Sequence, residues 1–75
     1  MTPELAFGRV LQQLRREKKL SQEDLAFTSE LDRTFISRME NGRRRPTINT
    51  IIRLSRALEV PAAQMVAEVE ALLVE

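Results

Sequence analysis

Apolar residues recur along this chain at helical spacing. Phe7, Val10, Leu11 and Leu14 stand at i, i+3, i+4 and i+7, the buried stripe of an amphipathic helix. Ile48, Ile51, Leu54, Ala57 and Leu58 form a second stripe, and Ala62, Met65, Val66, Val69, Leu72 and Leu73 a third. Two shorter segments lie between, carrying Leu25 and Ala26 in one and Ile36 and Met39 in the other. No segment alternates with period two for long enough to be a strand. The pattern predicts an all-α chain of five helices.

Local punctuation places their ends. The first helix runs from about residue 3 to residue 18, with Thr2 as cap and Pro3 at its first position. Gly8 falls mid-helix, where it costs about 1 kcal/mol relative to Ala; a closely approaching backbone would account for it. Arg15, Arg16, Lys18 and Lys19 cluster at the end of this helix. There they either complement the helix dipole or reach phosphate, and both readings stand. The second helix starts at Ser21, where S-Q-E-D has the shape of a capping box with Asp24 in place of Glu or Gln. The third starts at the N-cap Asp32 and ends at Asn41 and Gly42, the glycine suiting a left-handed C-terminal conformation. The fourth starts after Pro46 with Thr47 as cap, and Pro61 forbids its continuation through Val60. The fifth starts near Pro61 and runs almost to the end.

Candidate chemistry concentrates on the third helix. At about 100° per residue, Ile36 and Met39 share one side, with Leu31 below them. Thr34, Ser37, Arg38 and Asn41 share the other, with Arg33 on its flank. One side docks and the other is free to hydrogen-bond. A DNA major groove accepts one α-helix and offers a distinct donor and acceptor pattern for each base pair. Arg33, Thr34, Ser37 and Arg38 are therefore base-reading candidates. Gln22 opens the second helix, where free N–H groups attract phosphate. Asn41 and the basic loop Arg43, Arg44 and Arg45 follow the third helix on the same side.

Composition narrows the alternatives. The 75 residues form one small domain, and the net charge is +1. That balance hides an asymmetry: residues 1–56 carry +5 and residues 57–75 carry −4. The basic part suits a polyanion and the acidic tail does not. With neither Cys nor His, disulfides, thiolate or imidazole metal sites and His- or Cys-based catalysis are excluded, leaving only carboxylate metal sites formally open. No constellation for an enzyme is visible, and no cofactor is implied. No apolar run approaches the ~20 residues of a membrane span. The N-terminus lacks the pattern of a signal peptide. A soluble, cytoplasmic protein is expected.

The combination of L-S-Q-E-D-L-A, I-S-R-M-E-N-G and the later A-L-E-V resembles the phage repressor/Cro (Xre-like) helix-turn-helix domain over nearly the whole chain. The resemblance implies a lambda-repressor-like five-helix bundle that binds double-stranded DNA as a two-fold dimer. It places base contacts on Arg33, Thr34, Ser37 and Arg38, and phosphate contacts on Gln22, Asn41, Arg43, Arg44 and Arg45. It also implies a structural ion pair between Arg15 and Glu40, tying the first helix to the third. Within the family, D-R-T-F-I-S and the small size are similar to the controller proteins of restriction–modification systems. Those often carry Tyr where Phe27 and Phe35 stand. The family often has Gly at the positions of Lys19 and Glu30, and a non-Gly residue at positive φ there costs about 1–2 kcal/mol. Phe27 and Phe35 either pack on each other or face thymine methyls; mutual packing is the preferred reading.

Residues 61–75 form the terminal helix of the single domain spanning residues 1–75. Met65 closes the core in the family, which leaves Val66, Val69, Leu72 and Leu73 on a continuing apolar stripe, an expected homodimer interface. The expected function is a sequence-specific, homodimeric DNA-binding transcription regulator with no evident small-molecule effector. The alternative is an antitoxin or protein-interaction module on the same fold.

Overall fold

The computed structural model describes residues 1–74. Five helices follow one another: α1 (Pro3–Glu17), α2 (Gln22–Ser29), α3 (Arg33–Glu40), α4 (Ile48–Leu58) and α5 (Ala62–Leu73). Each start follows from a local cap. The Thr2 hydroxyl accepts from the Leu5 N–H, Asp32 from the Thr34 N–H and Thr47 from the Thr50 N–H. At α2 the box is reciprocal, with the Asp24 N–H donating to Ser21 and the Ser21 N–H donating to Asp24. These bonds satisfy N–H groups that a helix start otherwise leaves unpaired. The Ser21 N–H, and after it the Ser21 hydroxyl, hold the Asp24 carboxyl below its ordinary range. A depressed folded value adds stability above the unfolded value of about 3.9, lost as pH falls through the folded value. Thermal melts between about pH 2 and 5 should therefore show a shallower acid limb for Asp24→Asn than for the parent.

The helix ends share one device. After α1, α2, α3 and α4 the chain turns through a residue at positive φ: Lys19, Glu30, Gly42 and Glu59. At each end two backbone N–H groups reach back, as Leu20 to Arg15 and Lys19 to Arg16 do after α1, the pairing of a Schellman motif. Three of the four left-handed positions carry side chains. Lys19 and Glu30 match the positions where glycine is the family habit, and Glu59 was not foreseen. At Glu30, φ is 58°, so Glu30→Gly relieves about 1–2 kcal/mol of strain and loses about 0.4–1 kcal/mol through the freer unfolded chain. Chemical denaturation should show a net gain of roughly 0.5–1 kcal/mol.

Phe7, Val10, Leu11 and Leu14 of α1 meet Leu25, Ala26, Ile36, Met39, Leu54, Leu58 and Met65 in one core. α1 packs on α3 and α5, α2 on α3 and α4, and α4 on α5. Gly8 marks the crossing of α1 and α3: a Cβ there would stand 2.5 Å from the Met39 carbonyl oxygen and 2.6 Å from that of Glu40. Only glycine permits this approach, so the helix-weakening residue sets the spacing of α1 against α3. One stripe member departs from expectation. Ile48 is exposed, and Thr50 is buried in α4 instead. Ile48 stands about 100° round the helix from the arc centred on Leu54 and Leu58, so it clears the core.

Candidate nucleic-acid interface

α3 buries Ile36, Met39 and Glu40 and turns its other side outward. Arg33, Thr34, Arg38 and Asn41 are exposed, and Ser37 is half-buried at the edge of that side. Arg43, Arg44 and Arg45 are exposed in the loop that follows. The free face and the loop are thus contiguous in chain and in space.

Glu40 anchors this face from beneath. The Arg15 Nε donates to its Oε2 at 2.6 Å and the Arg15 Nη2 to its Oε1 at 3.0 Å. The two side chains are only 10% and 1% exposed. The Arg15 Nη1 also donates to the Leu20 carbonyl at 2.8 Å. The bond to Glu40 raises the Arg15 pKa further, against the opposing effect of burial. Gln22 donates to Glu40 Oε1 at 3.1 Å and Gln12 at 3.4 Å. One carboxylate therefore binds α1, α2 and α3 together. Gln22 sits at the first position of α2, its side-chain nitrogen held by Glu40 while the helix N-terminus remains beside it. Gln12 was not picked out from the sequence. Its signal was its place three residues before Arg15, on the adjoining flank of α1.

The expected contact between Phe27 and Phe35 does not form. Phe27 is 87% exposed, because it projects from α2 opposite the buried Leu25, Ala26 and Ser29. Phe35 is half-buried and packs against the core. Its ring carries the Arg44 guanidinium, whose carbon lies 5.6 Å from the ring centroid. On α5, Met65 is fully buried, while Val66 and Leu72 remain 40% and 43% exposed. Val69 and Leu73 are half-buried. Among the described residues no acidic, His or Cys cluster could hold a metal ion, and no helix is long and apolar enough to cross a membrane.

A short α2, a turn through Glu30 and an α3 with one free polar face define a helix-turn-helix protein. The helix-turn-helix family profile matches residues 11–65, and the chain belongs to that family. Within it, the chain is 36% identical over 67 residues to control protein C.MunI of Mycoplasma sp, covering 88% of this chain and 90% of that one. It is similar to the restriction–modification controller protein C.AhdI of Aeromonas hydrophila, with 39% identity and a TM-score of 0.81 over 83% of this chain and 94% of that one. It is also similar to C.Esp1396I, solved bound to a 19 base pair DNA duplex, with 31% identity and a TM-score of 0.88 over 100% of both chains.

Proposed function

We propose that this protein is a sequence-specific DNA-binding transcription regulator of the restriction–modification controller kind, acting in the cytoplasm as a homodimer and not as an enzyme. The observation that carries this reading is the outward face of α3, continuous with the arginine loop and braced through Glu40 by donors from α1 and α2. Arg33, Thr34, Ser37 and Arg38 read base edges. Gln22, Asn41, Arg43, Arg44 and Arg45 hold the phosphates that set register. A protein-interaction module would need a less basic recognition face than Arg33, Arg38 and the loop provide.

One copy measures 35 × 23 × 22 Å and carries a single reading helix. Reading two successive major grooves, about 34 Å apart, takes a second copy. The stripe of Val66, Val69, Leu72 and Leu73 on α5 is the surface on which the two copies meet, a use that exposed apolar residues commonly serve.

Duplexes enriched from a random pool by the protein supply the operator for the test. Arg38→Ala should then relax discrimination at one base position by about 1–3 kcal/mol. Arg43→Ala should weaken operator and random duplex alike and flatten the salt slope by about 1. If both variants bound both duplexes as the parent does, the assignment of this face would be wrong.

A further inference from the structure

We infer that Asp32, besides capping α3, reads a cytosine, its carboxylate accepting from the base's exocyclic amine. The inference rests on the DNA-binding reading above. Asp32 caps α3 through one oxygen, Oδ1, which accepts from the Thr34 N–H at 2.8 Å. The residue is exposed, and among the described residues its Oδ2 accepts no hydrogen bond. Its charge is unpaired as well. The one ion pair among the described residues joins Arg15 to Glu40, although Arg38 and Arg44 line the same hollow as Asp32.

Capping alone does not call for this charge. α1, α2 and α4 are capped by hydroxyls, those of Thr2, Ser21 and Thr47, and Ser caps a helix about as well as Asp. The helix dipole favours an anion at any helix start. Yet α3 is the helix that meets a polyanion, and it is the one that carries the carboxylate. There the charge opposes association with DNA, so it needs a use that a hydroxyl cap does not serve.

The docked helix supplies that use. A recognition helix brings its N-terminal residues to the base edges, which is where Asp32 stands on α3. Docking removes water from Oδ2, and an acceptor left without a donor is penalised. Phosphates carry acceptors alone. They would suit Arg38 and Arg44 of the hollow but leave Asp32 unsatisfied. In the major groove the donors are the amines of cytosine and adenine. Adenine sets an acceptor, N7, beside its amine, and that acceptor would face the carboxylate; cytosine does not. Across a G·C pair the groove edge runs acceptor, acceptor, donor. Arg38 and Asp32, lining one hollow, offer the matching donors and acceptor. Asp32 thus lowers affinity for DNA in general and raises discrimination, since a wrong base leaves its oxygen unpaired.

The test titrates a duplex enriched by the parent, and a random duplex of equal length, with the parent, Asp32→Ser and Asp32→Asn. Both replacements cap helices, so the fold is kept while the carboxylate is lost. Asp32→Ser should bind random duplex about twofold more tightly, the scale of removing one like charge beside a polyanion. Its preference for the enriched over the random duplex should fall about tenfold, the scale of one lost base contact. Re-selection with Asp32→Ser should lose a cytosine at one position of each half-site. Re-selection with Asp32→Asn should replace that cytosine by adenine, the base an Asn amide pairs with. If Asp32→Ser kept the parent's preference, with both duplexes shifting alike, Asp32 would be a cap beside a phosphate and the inference would fall, leaving the DNA-binding reading intact. Recovery of the parent's operator unchanged by either re-selection would overturn it too. Should one variant fail to fold by circular dichroism, the other decides. A parent that enriches no sequence at all would overturn the DNA-binding reading and this inference with it.

Discussion

Glu40→Ala should destabilise the fold by about 3–5 kcal/mol, the scale for removing one partner of a buried ion pair. The change strips the Arg15 guanidinium of both its carboxylate bonds while leaving it buried. It also removes the acceptor that Gln12 and Gln22 share. A domain of this size shifts its melting midpoint by about 4–8 °C per kcal/mol, so the midpoint should fall by at least about 12 °C in a circular dichroism melt. The sum of two apolar replacements should differ from either single change. Arg15→Met combined with Glu40→Leu leaves no unpaired buried charge and should recover much of the loss. A Glu40→Ala variant melting within a few degrees of the parent would show that the brace carries little stability.

Leu72→Glu should separate dimerisation from folding. Leu72 is 43% exposed on α5, so a carboxylate there meets water in the single copy and helix content should be unchanged. In the proposed dimer the same carboxylate would be buried beside its own two-fold mate. Sedimentation at micromolar concentration should show the parent as a dimer and the variant as a monomer. Operator affinity should fall about 100-fold or more, because linked binding at two half-sites gains 10²–10⁴ over one. A parent that is strictly monomeric at that concentration rejects the dimer. A variant that stays dimeric moves the interface off this stripe.

Both predictions reach residues that the chain order reveals unequally. The apolar stripe of α5 is visible as spacing alone, from Met65 through Val69 to Leu72 and Leu73. The partnership of Arg15 with Glu40 is not, since 25 residues separate them. It was legible only because the motif residues around it resemble a family in which that pairing is expected. The family resemblance implies no such bond for Gln12 or Gln22, and Gln12 is marked only by its place three residues before Arg15. Neither glutamine lies near Glu40 in the chain, and a glutamine on a helix flank is ordinarily just solvated.

The left-handed turns show the same boundary from another side. Gly42 advertises its turn by its residue type, since only glycine takes positive φ freely. Glu30 and Lys19 do not, and their conformation was suspected from the family's glycine at those places. Glu59 carried no signal, because a glutamate at the end of a helix is compatible with many conformations. The backbone at these sites is held by the paired N–H bonds of the helix ends and by the packing on either side.

What the sequence determined by itself is what acts within about one helical turn: the five helices, their caps at Thr2, Ser21, Asp32 and Thr47, and the division of α3 into a docking side and a free polar side. Hydrogen-bonded caps and a 3.6-residue period are local, so residue order suffices to specify them. Only the tertiary structure decided that Gly8 lets α1 lie against the carbonyls of Met39 and Glu40, that Glu40 gathers donors from α1 and α2, that Phe27 points to solvent, and that Arg44 rests on Phe35. Each of these depends on how separately formed helices and loops approach one another. That approach is governed by how side chains of different segments fill a shared core, which no local pattern encodes.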